Sequence, residues 1–288
     1  MHIAVFAHNE SGRITAGLRS IVIAAGSHPV EVIVVANGCS DSTVDEVRAC
    51  ASFLSHLSLV EIDIADKANA WNTYVHDVLD DARVSEADVC FFMDGDITLE
   101  RDVLPLLASA LHEVPGARAA GGLPATGRDR EAWRQRMIQN GSLAGSIYGL
   151  RGTFIQELRR LAIRMPVGLI GDDLFLSWLV DRDVSASTLA RLAPASVFHV
   201  GAEFSFRSLS PLRPADYRTY VRRQWRYIRR ALQHEMLTGL LSARGLSAMP
   251  ADVRQLYRRA TPPSRLRWIG VATPFRTLAV LLIRSHRK

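Results

Sequence analysis

Two aspartates separated by one glycine, Asp94-Gly95-Asp96, directly follow the apolar run Val89-Cys90-Phe91-Phe92-Met93. At the mouth of a sheet both carboxylates can turn toward one divalent cation, and a glycine between them lets a diphosphate approach closely. Taken alone, the tripeptide also fits a solvated Asp-Gly turn; the buried run before it favours the cation. A second acidic pair, Asp172-Asp173, follows Gly171 where a helical pattern begins. A carboxylate in hydrogen-bond reach of a hydroxyl can act as a general base, and two acidic residues in a first helical turn also suit the helix dipole. Lys67 is the only lysine before the C-terminal residue Lys288. It is read either as a phosphate ligand or as a solvated lysine at a helix start. Further along, Arg218, Arg222, Arg223, Arg226, Arg229 and Arg230 fall on one predicted helix with Trp225. Like charges at i, i+4 oppose a helix by a few tenths of a kcal/mol per pair, roughly, so an anionic partner would relieve Arg218, Arg222 and Arg226. The alternative is a solvated basic face with Trp225 in the core.

The elements that must carry these residues follow from periodicity. Short apolar runs predict strands at 2–7, 31–36, 57–64 and 89–93, and helical spacing predicts helices at 12–25, 42–54 and 69–82. This βαβαβαβ series argues for a largely parallel sheet with right-handed crossovers. Ligands of such sheets gather at the carboxyl ends of the strands. There the sequence places His8-Asn9-Glu10, Asn37-Gly38-Cys39-Ser40-Asp41, Asp66-Lys67 and Asp94-Gly95-Asp96. A helix at 100–113, a weak strand at 117–123, a mostly helical stretch at 131–161 interrupted by glycines, and a helix starting near 171 follow. A last strand at 196–200 and a long helix from 214 to about 243 complete the reading.

Composition sets the outer bounds. A chain of 288 residues that is 48% hydrophobic and 22% charged can bury a large core and is not disordered as a whole. Three cysteines, Cys39, Cys50 and Cys90, are too few and scattered for a disulfide framework, which points to a reducing compartment. The first residues show no secretory signal pattern, and no window is apolar enough for a spanning helix, so a cytoplasmic location is expected. Charge is divided unevenly. Lys and Arg number seven against 18 Asp and Glu over residues 1–120, but 28 against 11 over residues 121–288. A rear half this rich in arginine suits phosphates or an anionic surface, and a GC-rich genome would give the same bias.

The order Ala7-His8-Asn9-Glu10, VIVVANGCSDST, DKANAWN, FFMDGD, GDDLFLSWL and RRQWR resembles the GT-A fold glycosyltransferases of the large family 2. The likeness spans about residues 1–230; each motif alone is weak, and six in order are specific. The resemblance implies an α/β GT-A fold, Rossmann-like, with a mostly parallel sheet flanked by helices, and an inverting transfer from a nucleotide sugar. It implies that Ala7, His8, Asn9, Glu10 and Asn37 line a nucleoside pocket, with Lys67, Asp94 and Gly95 also on the donor side. Asp94 would sit near ribose and phosphate, and Asp96 would bind Mg²⁺ or Mn²⁺ with Asp94. His199 is a further ligand candidate, since several such enzymes place a histidine after the last strand; a lone histidine among apolar residues is otherwise a core residue. Alignment of Gly171-Asp172-Asp173-Leu174 with the family's Gly-Glu-Asp-Leu pattern makes Asp173 the base and Asp172 its acceptor-orienting neighbour. Arg222, Trp225 and Arg226 stand where the family has a Gln/Arg/Trp element that meets acceptor or diphosphate, in altered order. Two further departures are Ala36-Asn37 in place of an acidic residue and His8 in place of an aromatic.

These readings divide the chain into a catalytic domain over 1–212, with a donor half at about 1–120 and an acceptor half at about 121–212, and a basic helical C-terminal extension over 213–288. The expected partners are a nucleotide-sugar donor and a glycan, lipid-linked or small-molecule acceptor. Tyr257, Trp268, Ile269, Phe275 and the 278–283 stretch, interleaved with arginines, suggest an anionic membrane surface at the inner face of the cytoplasmic membrane. No nucleic-acid motif is present. The rival readings are a retaining GT-A enzyme, a nucleotidyltransferase that releases pyrophosphate, and a non-catalytic adaptor for anionic lipid or polysaccharide.

Overall fold

The computed structural model describes residues 1–79, 84–85, 88–186, 189–192, 195–210, 213–261 and 273–285. Strands β1 (His2–Ala7), β2 (Glu31–Asn37), β3 (Leu57–Ile62) and β4 (Val89–Asp94) form the parallel part of an eight-stranded sheet, in the spatial order β3-β2-β1-β4. Helices α1 (Ile14–Ala24), α2 (Thr43–Ala49) and α3 (Lys67–Thr73) lie between them in sequence. Alternate residues of β1 serve two cores: Ile3, Val5 and Ala7 pack with Ile14, Leu18 and Ile21 of α1, while Ala4 and Phe6 pack with Trp71 and Tyr74. Burial of both faces explains why these strands read as continuous apolar runs.

After β4 come β5 (Ile97–Leu99), α4 (Val103–Glu113), β6 (Ala119–Pro124), α5 (Arg130–Asn140), β7 (Ile147–Arg151), α6 (Gly152–Arg160), α7 (Asp172–Val180) and β8 (Ser196–Phe206). The sheet continues β4-β7-β6-β8-β5; β7 runs antiparallel to both neighbours, β5 antiparallel to β8, and β6 parallel to β8. The result is the mixed, mostly parallel α/β architecture expected, with two strands that periodicity did not predict. The helical stretch expected at 131–161 is in fact α5, β7 and α6. Gly141 ends α5 in the left-handed region (φ +63°), its N–H reaching back to the carbonyls of Ile138 and Met137. Gly149, which reads as a helix interruption, is where β7 presses against β4: a Cβ there would lie 2.8 Å from the Val89 side chain. The last strand also runs six residues past its expected end.

Helix α3 starts two residues earlier than predicted, because Asp66 caps it by accepting from the Asn69 N–H at 2.8 Å. It passes into a π-helical turn at Tyr74–Val78, and residues 80–83 of the expected helix lie outside the described residues. The long helix α8 (Pro214–Arg244) matches expectation and is followed by α9 (Val253–Arg259) and α10 (Thr273–Ser285). Ile228, Leu232, Met236, Leu237, Leu240 and Leu241 of α8 join the same core as Ala4 and Phe6. Among the described residues no helix is long and apolar enough to cross a membrane. Of the residues read as surface-seeking, Tyr257 is instead buried in the core, and Trp268 and Ile269 lie outside the described residues.

On α8, His234 is largely removed from solvent and pushed down to about 4, first by burial and then by the Arg230 charge. Its unfolded value is near 6.5, so between these limits the unfolded chain binds more protons. Stability is therefore expected to fall as pH drops from about 6.5 to about 4. Melting curves across pH 4–7 check this: His234→Gln should flatten part of the slope, and an unchanged slope would assign it to other groups.

Candidate active site

The loops after β1 and β2 are tied to each other before any ligand arrives. Asn37 is 3% exposed and donates its amide N–H to the Ala7 carbonyl at 2.9 Å, while the His8 Nδ1 meets the Asn37 carbonyl at 2.7 Å. Asn9 holds a left-handed conformation (φ +56°), and its Oδ1 accepts from the Ser40 N–H at 2.8 Å. Ala7, His8, Asn9 and Asn37, read as nucleoside-pocket residues, thus form one knitted rim. Beside it, Glu10 pairs with Arg13 at 2.6 Å, and Arg13 stands 3.8 Å from Asp96. Burial, reinforced by Asp96, pushes the Glu10 carboxyl up to about 7 despite Arg13. Arg13 escaped the sequence reading, although a cation three residues after Glu10 at the start of α1 was the available signal.

Deeper in, the β4 end, the α3 start and the α7 start converge. Lys67 Nζ lies 2.6 Å from Asp94 Oδ1 and 3.1 Å from Asp172 Oδ2, and donates to the Gly145 carbonyl at 3.3 Å. Burial alone would lower the ammonium's pKa, but Asp172 and then Asp94 hold it well above the ordinary lysine value. Burial pushes the Asp94 carboxyl up to about 6, with Lys67 opposing. Lys67 is therefore neither a solvated lysine nor an isolated one; it neutralises two carboxylates from different elements.

Gly145 joins this group to the next. Its N–H donates to Asp173 Oδ2 at 3.2 Å, and a Cβ on it would lie 2.9 Å from Lys67 Nζ and 3.5 Å from the Asp173 Cβ. Asp173 Oδ1 accepts from Arg230 Nη2 at 2.9 Å and from the Leu174 N–H at 2.8 Å. Burial, then Asp172, raises the Asp173 pKa, and Arg230 and Lys67 counter this. Gly171 sits at φ +91° under the Arg230 side chain, whose stem would meet a Cβ at 2.6 Å. Below the cluster, Trp71, Phe92 and Tyr148 stack with centroids 6.0 and 5.0 Å apart, each such pair adding about 0.5–1.5 kcal/mol beyond its burial.

Other expected members stand apart. His199 lies in β8, where its Nδ1 accepts from the Gly201 N–H at 3.1 Å, and no contact among the described residues brings it to Asp94 or Asp96. Arg222 and Arg226 are exposed on α8 without an ion pair among the described residues, and Trp225 packs partly buried against the core. One turn beyond Arg226, Arg230 is the arginine that reaches the acidic pair.

No group of three His, Cys, Asp or Glu side chains able to hold an ion occurs among the described residues. Two carboxylates around a glycine nevertheless fit Mg²⁺ or Mn²⁺, hard cations that complete their shells with water and substrate phosphate. Gly95 packs closely between them: a Cβ would come 3.0 Å from the Phe6 carbonyl and 3.2 Å from the Ile14 side chain, a tightness that favours glycine between Asp94 and Asp96.

A family model described as glycosyl transferase family 2 matches residues 2–168. No curated protein sequence matches the chain significantly. Among solved structures, it is similar to the mannosyltransferase PcManGT from Pyrobaculum calidifontis in complex with GDP-Man and Mn²⁺: 17% identity, 99% of this chain, 73% of that one, TM-score 0.60. It is also similar to residues 1–349 of S. aureus TarS in complex with UDP-GlcNAc, at 14% identity, 100% and 81% coverage and a TM-score of 0.56. At such identities the likeness speaks for the fold.

Proposed function

Because this chain belongs to glycosyl transferase family 2, and is thus a glycosyltransferase, we propose that it moves a sugar from a nucleoside-diphosphate sugar to an acceptor hydroxyl with inversion. The observation that carries this reading is the single residue Gly145, whose carbonyl binds Lys67 beside Asp94 and whose N–H binds Asp173. This supports setting a cation-and-phosphate corner at Lys67 and Asp94 and a base at Asp173, one residue apart across Gly145. On this reading the acceptor hydroxyl gives its proton to Asp173 as its oxygen bonds to the anomeric carbon. The bond from that carbon to the diphosphate breaks, and its electron pair leaves with the diphosphate. Asp172 orients the acceptor, and Lys67 offers its ammonium to the departing phosphates.

The rim of Ala7, His8, Asn9 and Asn37, with Glu10 beside it, would hold the nucleoside, within a donor half at about 1–120, and residues 121–212 would serve the acceptor. Asp96 and Asp94 would hold Mg²⁺ or Mn²⁺, which when bound supplies positive charge to the diphosphate. GDP-Man and UDP-GlcNAc, present in the two similar structures, are the first donors to try. A ligand that binds only the folded state raises the melting temperature. GDP and UDP with Mn²⁺ should raise Tm, EDTA should abolish the rise, and Asp96→Asn should reduce it to a small fraction; an undiminished rise in Asp96→Asn would remove the metal assignment. Inverted anomeric configuration in the product separates this reading from the retaining one.

An anionic membrane surface is the proposed docking partner of the extension. Phe275, Leu278, Leu281 and Leu282 are 41–56% exposed on α10, while Ala279, Val280 and Ile283 pack inward. The exposed arginines of α8 add attraction of about 1 kcal/mol each near an anionic surface. Cosedimentation with anionic vesicles should exceed that with neutral vesicles and fall with salt, since charge is screened over ~8 Å at physiological ionic strength; equal recovery from both lipids would exclude this partner.

A further inference from the structure

We infer that Arg230, supplied by the C-terminal helix α8, is the positioning residue of the proposed base: it pins Asp173 Oδ1 so that Oδ2 is the oxygen that takes the acceptor proton. The inference rests on the reading of Asp173 as the base. Oδ1 is engaged twice, by Arg230 Nη2 and by the Leu174 N–H, whereas Oδ2 meets only the Gly145 N–H at 3.2 Å. A carboxylate oxygen has about two lone-pair sites, so Oδ1 is filled and Oδ2 retains one for a hydroxyl.

The contact is built into the fold. The Arg230 stem lies over Gly171, where the left-handed backbone and the close approach both require glycine. The next residues of α8 are fastened to the same region: buried Gln233 accepts from the Ile170 N–H at 2.7 Å and donates to the Tyr257 hydroxyl at 2.7 Å. The segment Ile170–Asp173 that carries the acidic pair is therefore gripped from one side by two consecutive turns of α8. Arginine suits this place because its planar guanidinium fixes an oxygen by direction as well as by charge. In the proposed transfer the acceptor O–H bond breaks and an Oδ2–H bond forms, and Arg230 itself exchanges no proton.

The test uses the full chain with Mn²⁺ and two probe donors, GDP-mannose and UDP-GlcNAc, and follows nucleoside diphosphate release by transfer to water. Arg230→Gln should lower kcat about 10- to 100-fold with donor KM within threefold, as loss of an interaction used in the transition state does. Arg230→Lys should recover to within about fivefold of wild type, since it restores the charge but not the fork. Asp173→Asn/Arg230→Gln should be no more than twofold slower than Asp173→Asn alone, because both changes remove one unit. Arg230→Met keeps the stem over Gly171 and gives the same measurement where Arg230→Gln does not fold. A wild-type rate in Asp173→Asn would remove the base and this inference together. A loss in Asp173→Asn beside unchanged kcat in Arg230→Gln or Arg230→Met, or losses that multiply in the double variant, would overturn the positioning role alone.

Discussion

Asp173→Asn is expected to lower sugar transfer by about 10²-fold or more while leaving donor affinity within twofold, because general-base catalysis is worth about 10²–10⁴. The substitution keeps size and shape, and the amide it introduces can still accept from Arg230 or from Gly145. What it loses is the ability to hold a proton from an attacking hydroxyl. Asp172→Asn should behave differently. Asp172 is 10% exposed in its side chain and directs its charge at Lys67 at 3.1 Å, so its neutralisation should raise acceptor KM more than it lowers the chemical step. Steady-state kinetics on both variants, with donor affinity from thermal shift, checks the pair. Small and equal effects would return both residues to the role of helix-start acids.

Lys67→Met should lower stability markedly. Removing one member of a buried charge pair leaves the other uncompensated at a cost of about 3–5 kcal/mol. Here Lys67 faces two carboxylates, but its side chain is 26% exposed and that of Asp94 31%, so the lower end applies. At about 2–4 °C per kcal/mol for a chain of this class, Tm should fall by roughly 6–12 °C. Lys67→Met/Asp172→Asn should recover part of the fall, since one of the stranded charges is gone. Millimolar Mn²⁺ should raise the Tm of Lys67→Met more than that of the wild type, because Asp94 is then left to a hard cation. A Tm within about 2 °C of wild type, the shift expected from about 0.5–1 kcal/mol, would mean that water already solvates the pair.

Much of this was legible in the sequence where one physical rule dominates. Strands β1, β2 and β4 are buried on both faces, so their apolar runs could hardly be anything else, and the polar residues that end them had to gather at one edge of the sheet. Strands β5 and β7 escaped because they are three and five residues long and are held in place by their neighbours. Ile147–Arg151 carries a central glycine that weakens any strand signal, and that glycine is what its partner β4 demands. The candidate site divides in the same way. Asp94, Asp96, Asp172 and Asp173 announce themselves by spacing. Gly145 and Arg230 act through contacts 28 and 57 residues from Asp173, and spacing says nothing at such distance. Among several arginines on one helix, only the rotation of that helix against α7 selects Arg230 over Arg222 or Arg226.

The 31 residues of α8 span about 46 Å at 1.5 Å per residue, and their surroundings change along that length. Up to Tyr227 most side chains are exposed; from Ile228 to Leu241 the inward face is sealed in the core. Amide hydrogens open with free energies set by local burial. A single unbroken helix should therefore exchange deuterium at two rates, with early turns labelled long before the segment that holds Arg230 and Gln233. A deuterium boundary near Tyr227 would mark how far the start of the helix can unwind without disturbing the acidic pair behind it.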